Sequence, residues 1–290
     1  MRAISVLLLS HLRLSYRVRI SFFFNFIFPI LISFVYFQIF AGGAPLAVAR
    51  MMGPLIALTI LTNALILGGI RSAEMRQRDM FRQYHLTPIK AVYLVLSEML
   101  VGYLTFLPVL AAEFAIGRGI YKMPFSGSYL NFFIVCSLGY LTLSAFAVLL
   151  SSVVNTAEEA NAVTQVLFFA CIFLSGITMP LENLSPLLQR IAMFTPPTLM
   201  IVPMQGMILS GDGLFQHLPE MAALASCCLT AAAVGILVFR WDKDEKVPRR
   251  KRIQASLALV PLLVIGILLN AGASGPHWIP APVAPVHCNQ

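Results

Sequence analysis

The sequence predicts an all-α integral membrane protein, and three observations carry that prediction. Seven apolar stretches recur along the chain, each of about 17 residues or more, enough to cross a hydrocarbon core of about 30 Å at about 1.5 Å per residue. Hydrophobic residues make up 59% of the 290 positions and charged residues 11%, against roughly 45–50% and about 25% in a soluble domain. Sixteen of the 20 Lys and Arg residues fall in three clusters, at 2–19, 71–90 and 240–252. If every stretch crosses the bilayer, all three clusters lie on one side, and Arg50, Arg118, Lys122 and Arg190 lie on the other. Loops rich in Lys and Arg stay cytoplasmic, so a cytoplasmic N-terminus is expected. The formal net charge of +8 then belongs to loops facing anionic lipid head groups rather than to a nucleic-acid surface.

The elements follow in order. Residues 1–19 place Arg2, Arg13 and Arg17 on one stripe of a helix, with Ile4, Leu7, Leu8 and Leu14 towards the other. Val6 and Leu9 interrupt the basic side, but the pattern suits a helix lying in the membrane interface. Spans are expected at about 20–41, 51–70, 90–116, 129–153, 161–179, 218–239 and 254–271. The first is too long for a signal-peptide core and follows 19 residues, so it reads as an uncleaved span. Pro29 and Pro108 fall inside spans, which membrane helices tolerate when neighbours satisfy the freed carbonyls. Of five cysteines, Cys136, Cys171, Cys227 and Cys228 lie in apolar runs and Cys288 in the tail, so packing is expected rather than disulfides.

The connections carry more information than the spans. Residues 71–90 are charged, lack Gly, and continue helix-forming residues out of the second span. Arg78 and Arg82 stand four apart on one face. A solvated positive loop would account for the arginines alone. The interleaved Met75, Met80, Phe81 and Tyr84 favour a surface helix that buries against a protein. Residues 176–200 are apolar and punctuated by prolines. Ser185-Pro186 suits a helix start, and Leu187, Leu188, Ile191 and Ala192 give it an apolar stripe that Pro196-Pro197 closes. A pair of short helices dipping from the outer side is expected there, since irregular backbone at membrane depth must be buried in protein or line a cavity.

Ionisable groups inside a membrane are costly and are candidates for function. Glu98 lies about 12 Å along the third span from Lys90. It is read as a substrate contact, as a partner for a neighbouring helix, or as an interfacial group. Glu113 is expected near the outer surface, solvated. Asn63 and Gln165 are expected to hydrogen-bond across helices, with substrate contact as the alternative. Glu158 and Glu159 follow Asn155-Thr156 and suit the first turn of a helix, where they either cap it or meet a partner.

Three segments resemble the ABC-2 type permease subunits of ATP-binding-cassette exporters, over roughly residues 10–240. They are the basic segment ending Leu86-Thr-Pro-Ile89, the run Asn155 to Asn161, and Phe173-Leu-Ser-Gly-Ile-Thr-Met-Pro180 followed by Leu187-Leu-Gln-Arg-Ile-Ala192 and Thr195-Pro-Pro197. The short loops look most like the drug-resistance and lipid or glycan export branch. The resemblance implies a six-helix transmembrane domain over 20–240 that works as a dimer with a second permease subunit. It makes 1–19 a connecting helix and 71–88 the coupling helix that docks on a separate P-loop ATPase, with Glu74, Arg78, Phe81, Arg82 and Pro88 as its contacts. It makes 180–205 the paired outer re-entrant helices, with Leu174, Ser175, Gly176, Pro180 and Pro196 as an outer gate. Glu98, Asn63 and Gln165 are candidates for the substrate path. ATP and Mg would sit on the partner, and this chain would bind no cofactor. The basic linker at 241–253, a seventh span at 254–271 and the Pro-rich tail at 272–290 go beyond the six-helix pattern.

What the 290 residues lack fits that division of labour. They contain no Gly-x-x-x-x-Gly-Lys-[Ser/Thr] phosphate loop, no His-Glu-x-x-His and no Gly-x-Ser-x-Gly. His277, His287 and Cys288 form a tail pattern rather than a metal set. The expected function is a bacterial inner-membrane permease subunit that moves a hydrophobic or amphipathic molecule (a drug, lipid or lipid-linked glycan) outward. An ion-coupled secondary transporter, which would normally show inverted repeats, and a non-transporting anchor are the alternatives.

Overall fold

The computed structural model describes residues 22–78, 80, 91–239 and 260–271. Among them the regular structure is entirely helical. Helix α1 occupies Phe23–Ile39 and opens with a wide π turn at Phe23–Ile27. After Gly42 and Gly43, both in the left-handed region that glycine adopts without strain, α2 starts at Pro45. It runs unbroken to Gln77. Helix α3 is Ala91–Ile120, α4 Tyr129–Val153 and α5 Ala157–Leu174. Two shorter helices follow, α6 at Pro186–Ala192 and α7 at Pro196–Leu209, bent by 99° to each other. Helix α8 is Leu218–Val238 and α9 Val260–Ala271.

Four of these helices and Leu214–Val238 are long and apolar enough to cross a membrane, and the bent pair makes six. The apolar runs place α4 and α8 closely. They place α2 less well, because it extends past 51–70 at both ends. Its charged last turns stay helical by packing against protein instead of leaving for water. Helix α5 starts four residues before the expected position of 161, since Thr156 caps it: Thr156 Oγ1 accepts from Glu159 N–H at 3.1 Å, and Glu159 Oε2 accepts from Asn155 N–H at 2.8 Å. The twelve residues of α9 reach only about 18 Å, and 254–259 lie outside the described residues.

Helix α4 is the centre of the bundle. Val135, Cys136, Tyr140, Leu143 and Ala145 on it are almost fully buried. Helix α8 lies along it, with Thr142 Oγ1 donating to Leu224 O at 3.0 Å. Helix α7 wedges between α2 and α4 because glycines make room for its methionines. A Cβ on Gly139 would lie 2.6 Å from Met200 Sδ, and one on Gly53 would lie 3.3 Å from Gln205. From that level α7 rises towards the Arg50 end of α2, where Gln205 Nε2 donates to Arg50 O at 3.2 Å and Ser126 N–H to Ile208 O at 3.3 Å. The two short helices are thus unequal: α7 is buried along nearly its whole length, whereas Ala192 is the buried residue of α6. Helix α9 packs on α8, and its Asn270 Nδ2 donates to Arg190 O on α6 at 3.1 Å, so it joins the rim of the bundle.

Candidate functional site

The last two turns of α2 form a basic end that ties three helices together. Arg76, 3% exposed, donates from Nη1 to Ser151 O at 2.6 Å and from Nη2 to Val154 O at 2.8 Å. Both carbonyls belong to the end of α4, where helical donors run out. The donor that would ordinarily serve Ser151 O is the Asn155 N–H, which turns instead to Glu159. A guanidinium also suits the negative end of the helix dipole. One turn earlier, Arg71 Nε stands 3.3 Å from Glu98 Oε2 on α3, with Glu98 6% exposed. Gly102 makes this approach possible, since a Cβ there would crowd Tyr140 Oη at 2.5 Å and Arg71 Nη2 at 3.2 Å. Ala73, Val154 and Ala160 close the junction against α5.

Two expectations meet this junction. Glu98 pairs with Arg71 of a neighbouring helix, one of the readings left open for it. Residues 71–77 continue the membrane helix and do not begin a separate surface helix. Glu74 and Arg78 do face outward, 48% and 73% exposed, with Arg78 Nη2 at 3.7 Å from Glu74 Oε2. Phe81, Arg82 and Pro88 lie outside the described residues, as do 1–19, 241–253 and 272–290.

A second polar centre lies midway along α2. Glu113 is fully buried, and its Oε1 accepts from Ser33 Oγ of α1 at 2.8 Å and from Thr59 Oγ1 of α2 at 2.7 Å. This corrects the expectation of a solvated outer residue. Helix α3 continues to Ile120, beyond the expected end at 116, so Glu113 sits two turns inside it. It stands about 22 Å from Glu98 along the axis. Asn63 is buried too, but it bonds within its own helix, Nδ2 to Thr59 O at 3.1 Å, not across helices as expected. It sits in the π turn Leu61–Leu67, where the regular ladder is locally widened. Gln165 is half-buried on α5, whose neighbours Val163, Val166, Leu167 and Phe169 are exposed.

The expected gate residues gather where α5 gives way to the bent pair. Leu174 ends α5, and Gly176 follows at φ 85°, a conformation that favours glycine. A side chain there would also strike Leu181, at 2.7 Å. Buried Ser175 accepts on its carbonyl from Thr198 Oγ1 at 3.3 Å, which fastens the end of α5 to α7. Pro180 precedes the single turn Leu181–Asn183, and Pro196 opens α7 behind Thr195. The start of α6 is as the sequence predicts, with Ser185 Oγ accepting from Leu188 N–H at 3.5 Å and Pro186 at its first position.

Sequence reasoning missed Arg71, Arg76, Ser33 and Thr59. For the arginines the only signal is helix-forming sequence running on past span two. For the hydroxyls there is none in one dimension.

The sequence that builds this bundle matches a family model, that of the ABC-2 type transporter, over residues 2–209. The chain belongs to the ABC-2 type transporter family. With five to six helices long and apolar enough to cross a membrane, it is a multi-pass membrane protein. Two curated relatives bear the description "Probable multidrug ABC transporter permease YbhR", one from Escherichia coli strain K12 and one from Escherichia coli O157:H7. Each is 25% identical over 142 residues, covering 49% of this chain. The chain matches 39% of the length of those relatives. No solved structure matches the chain.

Proposed function

We propose that this ABC-2 permease exports a hydrophobic or amphipathic molecule across a bacterial inner membrane, with its N-terminus in the cytoplasm. A separate P-loop ATPase subunit, carrying ATP and Mg, powers it from the 71–88 segment. The observation that carries this reading is the junction at the end of α2. Arg71 and Arg76 lock that end to α3 and α4, while Glu74 and Arg78 remain exposed beside it. A push on the exposed face is delivered to three membrane helices at once. The charge bias along the chain supports the orientation. The relatives' description as probable multidrug permeases supports a drug-like substrate. A second permease subunit completes the assembly, and the exposed apolar face of α5 around Gln165 suits it. Leu174, Ser175, Gly176, Pro180 and Pro196 form the outer gate, with Glu98, Asn63 and Gln165 beside the path.

The test is a pull-down of the tagged, detergent-solubilised protein from its native membrane. A stoichiometric P-loop ATPase that is lost in the Arg78→Ala, Phe81→Ala double variant is the expected result. An ATPase-free preparation, together with substrate movement driven by an ion gradient alone, would overturn the reading.

A further inference from the structure

Helix α6 is weakly anchored. Its seven residues expose Leu187 and Ile191 and bury only Ala192. Gln189 Nε2 ties it to the turn before it, donating to Leu181 O at 3.1 Å and to Leu184 O at 3.0 Å. A short helix with so little burial opens locally at low cost. The corner that joins it to α7 nevertheless stands at the head of a chain of hydrogen bonds running inward. Phe194 N–H donates to Ile191 O at 3.0 Å and Thr195 N–H to Ala192 O at 2.9 Å. Thr195 Oγ1 lies 2.8 Å from Thr198 Oγ1, which in turn donates to Ser175 O, next to Gly176. Movement of the corner therefore bears on the end of α5.

Helix α9 supplies the anchorage that α6 lacks. Leu262, Gly266 and Asn270 recur every four residues and share one face. Leu262 is 8% exposed and belongs to the main core, and Gly266 is buried. The bare glycine lets the corner in, since a Cβ there would strike the ring of Phe194. Asn270, about 12 Å along the axis from Leu262, donates from Nδ2 to Arg190 O at 3.1 Å. That carbonyl is in the last turn of α6, where helical donors run out. Leu263, Val264, Ile267 and Leu268 are exposed on the rest of α9. We propose that α9 is a strap. Rooted in the core through Leu262, it holds the α6–α7 corner closed through Phe194 and Arg190, and its release frees α6 to swing. This rests on the reading of the rim as an outer gate, for which it supplies the restraint, but the strap is measured without nucleotide, substrate or partner.

Hydrogen exchange of the purified full chain in nanodiscs, followed over residues 186–198, tests it. Asn270→Ala removes the donor to Arg190 and should speed exchange of the corner amides about threefold or more. Gly266→Leu drives a side chain into Phe194 and should speed it about tenfold or more. Exchange over residues 135–149 of α4 should stay at the wild-type rate in both. Equal acceleration in α4 would make the effect a general loss of stability and overturn the strap. Wild-type exchange at the corner in both variants would overturn it as well. Faster exchange at the corner, with no change in ATP turnover by the assembled complex, would support the strap and sink only the gate.

Discussion

The two buried glutamates of α3 lie on one helix, and their settings differ. Glu98 meets a full guanidinium, and its neighbour Arg76 closes the end of α4. Glu113 meets two hydroxyls on helices α1 and α2, and its other oxygen has no hydrogen-bond partner among the described residues. The first arrangement fixes helices to one another, because breaking it would strand a charge. The second joins three helices through two neutral donors to one carboxylate oxygen. The glutamate nearer the start of α3 is thus tied by a full charge and the one nearer its end by hydroxyl dipoles.

The sharpest way to break that contrast is Arg76→Ala. Two carbonyls at the end of α4 would lose their donors and the junction its packing, and destabilisation of about 3 kcal/mol is expected. Unfolding in mixed micelles would measure it. A loss under about 1 kcal/mol would mean that water replaces the arginine easily and that the junction is not rigid.

A double-mutant cycle with Arg71→Met and Glu98→Gln comes next. The single changes should each cost about 2 kcal/mol and the double change less than their sum, by about 1 kcal/mol. Additivity would show that the ion pair, with Arg71 31% exposed, is screened. Thr59→Val should have the smallest effect, about 0.6–1 kcal/mol, typical of a hydrogen bond between membrane helices. A cost as large as that of Arg76→Ala would move Glu113 into the same structural role and erase the contrast.

Much of the scaffold was legible in one dimension. Long apolar runs and helix-start chemistry place α4, α6 and α8 within a residue or two, because hydrophobic length and capping act locally. The Leu174-Ser175-Gly176 turn was not, since apolar length carries the fifth span on to 179 and only the family resemblance singled that run out. Nor were the polar centres. Charge next to a span reads as solvated, yet Arg76 is buried because α4 ends beside it. Depth counted from one end also fails when a helix outruns its apolar stretch, and that is how Glu113 was placed at the surface. Ser33, Thr59 and Glu113 come from three helices, and no spacing within any one of them announces their meeting.

Helix α2 is one piece over 33 residues, about 50 Å long, well beyond the thickness of the hydrocarbon it crosses. A rod of that length is a lever. Rocking it by about 5° about one end swings the other by about 4 Å, roughly the width of a methylene chain. Its far arm carries Gly53, against which α7 rests, so small motions at the arginine end arrive there as displacements large enough to unseat side chains.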